Sequence, residues 1–381
     1  MLIYLIAAFI IWFYGMFGGV NSSEKRKKRY VFVCFALMIL IAGLRSRSVG
    51  IDLQSHFAIS YEEIAIINWN QLDDYAQFRQ YGVGFCYFCK LLTIICSDAQ
   101  FFIFVTSMIV YGSVGYFVYK HSKDVALSTC LFMFFCLFFM FMNVVRQALA
   151  LAIVLIGFEI LQKKSLKLRR YLIFGALVVL ASTFHTSAIL CLPFVVLFKV
   201  KFKKIAIIFT IAVSAALFFF YDDVYELLVL FMGDEKYSMY VGSTTEGGGS
   251  LNRQSIIMFI LTLGAFVLGY MTLVLSKKKY VSKEEKFEVE SFDSFLLWIG
   301  FLATVCRLLI FRMNIINRLS YYFVPFVIIL YPEAINALKN SDNRKIIRTG
   351  VYVVFWLYFL WMTTMYAGSF YGVVPYKFFW Q

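Results

Sequence analysis

Charge is scarce in this chain. Only 15% of its 381 residues are Asp, Glu, Lys or Arg, while 62% are hydrophobic. No soluble core needs that much apolar sequence, so the composition excludes an ordinary soluble domain. Several signatures are also missing. There is no P-loop for a nucleotide, no HExxH, and no Asp-x-Asp pair to hold a divalent metal at a sugar nucleotide. Among the eight cysteines only Cys86 and Cys89 have CxxC spacing, and no second pair or His cluster accompanies them. They read as buried, reduced thiols packing as small hydrophobes. Met1–Val20 lacks a basic stretch before its apolar run, so it reads as a first span and not a cleaved leader. No soluble module and no internal repeat is visible.

Long apolar runs fill the sequence, and the mean hydropathy is +0.79. A bilayer crossing takes about 20 residues. The runs predict an all-α polytopic membrane protein with about twelve spans, forming a single integral membrane domain over 1–381. The net charge of +14 sits in short clusters between runs, not in a nucleic-acid-binding module. These clusters are Lys25–Arg29, Lys120–Lys123, Lys163–Arg170, Lys199–Lys204, Lys277–Lys286 and Lys339–Arg348. The positive-inside rule places all six in the cytoplasm. The N- and C-termini then lie outside, as do two long segments. The first, 45–100, contains a short apolar stretch, Tyr81–Cys96, read as a re-entrant or interfacial helix. The second, 221–254, is an outer loop with a Gly-rich tip. The Phe excess reads as packing and lipid contact, and Tyr and Trp as interfacial.

Arg146 stands out. It interrupts an apolar run from Val125 to Leu161 that is otherwise broken only by Glu159. The run is long enough for two spans, so Arg146 falls near the turn of a helical hairpin. A charge at membrane depth costs about 2.5 kcal/mol or more unless it has a partner or a use. The same face gathers Arg45, Arg47, Asp52, His56, His185, Arg307, Arg312 and Arg318. Each arginine taken singly is explained by a headgroup contact or a salt bridge, such as Arg45 with Asp52. Several together point to an anionic ligand, because guanidinium stays charged and grips phosphate oxygens in pairs. His185 exchanges protons near neutral pH and is a candidate for acceptor activation, with Asp52 second. Gln147 and Tyr321 flank Arg146 and Arg318. With no metal or nucleotide motif, a donor carrying its own energy fits, such as an activated lipid.

Five pieces of this sequence resemble the EpsG family of bacterial exopolysaccharide proteins, which are similar to Wzy-type polymerases. They are Gly43-Leu-Arg45 with Val49-Gly50-x-Asp52; Ser97-Asp98-Ala-Gln-Phe101; Asn143-x-x-Arg146-Gln147-x-Leu-Ala150; Phe184-His185-x-Ser-Ala188; and Asn317-Arg318-x-x-Tyr321-Tyr322. The chain departs from the family where His56 stands in place of a frequent Tyr, and where Tyr81-Gly-Val-Gly84 lacks a frequent acidic residue. The resemblance implies a GT-C-like bundle with an outer-face cavity in the bacterial cytoplasmic membrane. It implies a metal-independent, inverting glycosyltransferase with no cofactor. A nascent glycan would move from undecaprenyl pyrophosphate to a sugar hydroxyl of another lipid-linked unit, and a chain-length regulator is a candidate partner. On that reading Arg146, His185, Arg318 and Asp52 are the candidate catalytic residues. Arg45, Arg47, Arg312, His56, Gln147 and Tyr321 are the candidates for holding pyrophosphate or sugar. The alternative is a transporter or flippase of lipid-linked oligosaccharide, since membrane arginines also serve anion transport.

Overall fold

The computed structural model describes residues 1–202, 204–220, 251–276, 291–312 and 316–381. The 221–254 loop lies almost wholly outside them, as do the Lys277–Lys286 cluster and Asn314. The described residues are helical, and their one β-type pairing is an isolated antiparallel bridge between Arg45 and Phe378. They divide into two compact units: Met1–Leu192 with Asp342–Gln381, and Pro193–Ser341.

The first unit contains helices α1 (Leu2–Phe17), α2 (Glu24–Gly43), α3 (Ala58–Ile66), α4 (Leu72–Phe78), α5 (Val83–Thr93) and α6 (Ala99–His121). It continues with α7 (Val125–Phe134), α8 (Leu137–Asn143), α9 (Val145–Gln162) and α10 (Arg169–Phe184). The second unit holds α11 (Phe194–Leu197), α12 (Lys204–Phe219), α13 (Arg253–Gly269), α14 (Ser291–Leu309) and α15 (Ile316–Asn336). The chain returns to the first unit with α16 (Ser341–Met365).

Six helices are long and apolar enough to cross a membrane, and α7 with α8 makes a seventh if that bent pair is one span. Several of the twelve expected spans fall short for physical reasons. Helices α1 and α10 have only 16 residues each, and α2 spends its first six, Glu24–Arg29, on charge. The expected span Ser187–Phe198 is a 3₁₀ stretch, Thr186–Cys191, followed by the four-residue α11. Pro193 separates the two, because its missing N–H cannot continue a helical ladder. The expected span Val125–Met142 is bent by 56° between α7 and α8. There Cys136 takes a left-handed φ of 59°, which ends one helix and starts the next.

The first unit has two chemically different ends. At one end Asp124 caps α7, accepting from Leu127 N at 3.1 Å. It also accepts from Asn21 at 2.6 Å and pairs with Arg348 at 2.8 Å. His121 pairs with Glu159, which explains the lone acid in the apolar run, and Gln162 joins them at 3.4 Å. Four of the basic clusters adjoin these residues, so sequence-distant cations share one end as a common membrane side requires. At the opposite end the N-terminal helix meets the C-terminal tail: Tyr4 donates to the carbonyl of Val373 at 2.9 Å.

Helix α5 has 11 residues, roughly 16 Å at 1.5 Å per residue, about half the hydrocarbon thickness. Its Lys90, anomalous in an apolar stretch, is buried and donates to the carbonyls of Ile64, Ala65 and Ile67. These are C-terminal carbonyls of α3, which no helical N–H can reach. The ammonium therefore satisfies them, and α5 is tied to α3 by a buried cap.

In the second unit α13, α14 and α15 pack against one another. Leu330 of α15 fills the space over Gly269 and Gly300, and Tyr331 donates to the Leu261 carbonyl.

Candidate functional site

Helix α8 ends at Asn143 and α9 begins at Val145, with only Val144 between them. Arg146 thus falls in the first turn of α9. A cation there sits at the positive end of the helix macrodipole, which does nothing to stabilise it. It is half-buried. Its Nη1 donates to the carbonyl of Gln80 at 3.2 Å. Its guanidinium carbon lies 4.3 Å from the centre of the Tyr81 ring and 5.7 Å from that of Phe57. Phe57, Tyr81 and Phe85 pack mutually, with ring centres 5.7 to 6.1 Å apart. Arg146 lies over this aromatic group, and such cation–π contacts contribute about 0.5 to 2 kcal/mol depending on desolvation. Gln80 has φ 53°, a left-handed conformation uncommon outside glycine, and its carbonyl meets the guanidinium.

The linker that carries Gln80 also reaches the end of α10. A Cβ on Gly82 would lie 2.0 Å from the Thr183 carbonyl oxygen, and one on Gly84 would lie 2.0 Å from Thr183 Oγ1. Only glycine permits this approach of α5 to α10. His185 follows directly as the C-terminal cap of α10, with extended backbone, and its Nδ1 shares a hydrogen bond with Ser187 Oγ at 2.7 Å. Residues 80–84 therefore place Arg146 on one side and the His185 junction on the other. The segment Tyr81-Gly-Val-Gly84, notable in the sequence for lacking an acid, is the seam between the two.

A second layer supports the break at Val144. Arg45 is 2% exposed, and its Nη2 donates to the carbonyl of Met142 at 2.7 Å. Its Nε and Nη1 are buried and make no hydrogen bond among the described residues. It does not pair with Asp52. Asn143 donates to Phe139 O at 3.1 Å and to Tyr371 O at 3.0 Å, and its Oδ1 faces Asp52 N at 3.4 Å. The C-terminal tail closes this layer. Gly50 N meets Gly372 O at 2.8 Å, Ser46 N meets Lys377 O at 2.9 Å, and Phe379 N meets Leu44 O at 3.0 Å. The tail and Asn143 are structural residues that the sequence reading passed over. Asn143 was visible only as part of a motif, and nothing in the sequence singled out the tail.

The remaining candidates differ in setting. The half-buried Asp52 carboxylate makes no hydrogen bond or ion pair among the described residues. His56 is exposed on a π-helical turn, Leu53–Phe57. Arg47 lies at the surface and pairs with Glu62 at 3.1 Å. Gln147 is buried beside Arg146 in α9. In the second unit, Arg307 is buried and donates to Asn317 Oδ1 at 2.8 Å, with its guanidinium 5.9 Å from the Tyr321 ring centre. Arg312 and Arg318 are exposed.

The model of the EpsG family matches residues 28–378, nearly the whole chain. That stretch includes every residue of the Arg146 seam and most of the tail. No curated protein and no solved structure matches the chain.

Proposed function

This chain belongs to the EpsG family, and we propose that it joins lipid-linked glycan units into a polysaccharide at the membrane face that carries Arg146. Family membership supports an exopolysaccharide polymerase-like role in a multi-pass membrane protein. The observation that carries the finer reading is the seam at residues 80–84. It sets an arginine at a helix start beside a histidine-bearing junction, at the end of the first unit opposite the basic clusters.

The donor in this reading is a glycan on undecaprenyl pyrophosphate, and the acceptor is a sugar hydroxyl of a second lipid-linked unit. The acceptor oxygen bonds to the anomeric carbon as the bond from that carbon to the phosphate oxygen breaks. The electron pair leaves with the pyrophosphate, and the acceptor proton passes to a base. Backside attack inverts the anomeric centre. Arg146 and the N–H groups at the start of α9 act together on the developing phosphate charge, with no metal required. His185 takes the acceptor proton, with the Asp52 carboxylate as the second candidate base. Arg45 acts indirectly, because its buried guanidinium holds the Met142 carbonyl and so the position of the break. Arg318 stays a catalytic candidate by residue type, and Arg312, Tyr321, Arg47, His56 and Gln147 stay candidate phosphate or sugar ligands.

The test is Arg146→Ala, made in cells that lack the native copy, with protein level checked in the membrane. The expected result is normal protein, no polymer, and accumulated single lipid-linked units. Undiminished polymer would sink the assignment. Lipid-linked units moved across the membrane by purified protein, with no glycosidic bond formed, would identify a transporter instead.

A further inference from the structure

A groove of about 410 Å³ runs between α2 and α6 on the outside of the first unit. Its walls follow from helical spacing. On α2, Lys28, Phe32 and Ile39 recur at intervals of four and seven residues. On α6, Met108, Gly112, Tyr116 and Tyr119 recur at four, four and three. Two glycines shape the floor in opposite ways. A Cβ on Gly115 would lie 2.8 Å from the Phe35 ring, so the helices touch there. A Cβ on Gly112 would meet nothing within 4 Å, so one turn away the surface falls open.

The mouth of the groove is cationic. Lys28 closes the end nearest the basic clusters, within the run Lys25-Arg-Lys-Lys-Arg29. The nearby acid, Glu24, is already engaged: it pairs with Lys27 at 3.8 Å. Lys28 itself has no carboxylate partner among the described residues. An apolar slot with an unneutralised ammonium and an interfacial tyrosine at its mouth matches a chain-bearing anion. Acyl tails pack equally well against many membrane surfaces, so the apolar walls alone give no selectivity. Selectivity has to come from the headgroup charge, and each basic residue near a membrane surface favours an anionic lipid about fivefold.

We infer that this groove binds one anionic phospholipid from the leaflet facing the basic clusters, with an acyl chain against Gly112 and its phosphate on Lys28. The site is separate from the Arg146 seam, and its test does not use polymer formation. The full-length protein is placed in nanodiscs of phosphatidylcholine with phosphatidylglycerol, and retained lipids are counted by native mass spectrometry. Wild type should retain one phosphatidylglycerol with at least a fivefold preference over phosphatidylcholine. Gly112→Phe, which fills the slot, should lose that lipid. Lys28→Gln, at an exposed side chain, should bring the preference to parity and serves as the test even if Gly112→Phe fails to fold. Gly175→Phe is the control, because a Cβ there also meets nothing within 4 Å but lies on α10; it should retain the lipid. Equal retention of both lipids by wild type would overturn the inference, as would undiminished retention by Gly112→Phe. A dimer that Gly112→Phe splits would overturn it too, by showing the groove to be a contact between copies.

Discussion

The two ends of the first unit handle cations in opposite ways. At the basic end the charges that enter the helix bundle meet carboxylates: Arg348 meets Asp124, and His121 meets Glu159. At the other end Arg45 and Arg146 rest on main-chain carbonyls and, for Arg146, on aromatic rings. A carbonyl offers a dipole where a carboxylate offers a full charge, so the Met142 carbonyl orients the Arg45 guanidinium without cancelling its field. The first arrangement fastens helices together. The second holds one guanidinium at the break before α9 and another in the first turn of that helix.

The sharpest way to break this contrast is to remove one cation from each end. Arg146→Ala should lower polymer formation by about 100-fold or more, the usual loss when one preorganised donor to a developing oxyanion is removed. Thermal stability should change little. Arg146→Lys should recover only part of the activity, because a point charge cannot grip phosphate in two places. Asp124→Ala should do the reverse. It strands the mostly buried Arg348, removes the cap of α7, and costs about 3 kcal/mol of stability. Thermal unfolding in detergent measures that cost. Activity per folded molecule should hold. If Asp124→Ala abolished polymer without destabilising the protein, the division between a fastening end and a working end would be wrong.

Asn143→Ala sharpens the comparison at smaller scale. It cuts the ties from the break to Phe139, Tyr371 and Asp52, each worth about 1 kcal/mol. Polymer formation should fall about tenfold, because Arg146 is three residues away and its position depends on the break. Asn143→Asp keeps the acceptor but loses the donor to two carbonyls, and should not rescue activity.

Much of this was legible in the sequence because it depends on local pattern. The apolar runs gave helices, the basic clusters gave a shared end, and one arginine in an apolar run marked the break before α9. What escaped depends on contacts between distant residues. Lys90 is a lone charge in an apolar stretch, and its use shows only where the carbonyl ends of α3 lie beside it. Arg45 looked like a partner for Asp52, yet it is buried on Met142 O under a tail more than 300 residues away. Cys136 carries no turn signal, since neither Gly nor Pro marks the 56° bend. The span count rested on apolar runs and on placing the basic clusters on one side, and neither registers the interruption at Pro193 or the bend at Cys136.

The smallest expected effect is a pH dependence in the linker beneath Arg146. Glu63 ties α3 to α4 by accepting from Tyr75 and Arg79. Burial pushes its carboxyl up, but the hydrogen bonds from Tyr75 and Arg79 and the charge of Arg79 outweigh burial and hold it below its ordinary value of 4.5. A carboxylate depressed in the folded state stabilises that state fully above the unfolded value, and the contribution disappears as pH falls through the folded value. The tie should therefore be intact at neutral pH and weaken only in acid below about 4.5. Because Glu63 is more than a third exposed, water screens the pair and the global change should be slight. The local change is the useful one. Arg79 precedes Gln80, so losing its carboxylate partner loosens the residue whose carbonyl holds Arg146. Hydrogen exchange of the amides at 79–82 should quicken on acidification beyond its ordinary pH trend. Glu63→Gln should show the quickened exchange already at pH 7 and no further step. An identical exchange profile in wild type and Glu63→Gln would mean that the Arg146 contact is held by the left-handed turn at Gln80 alone.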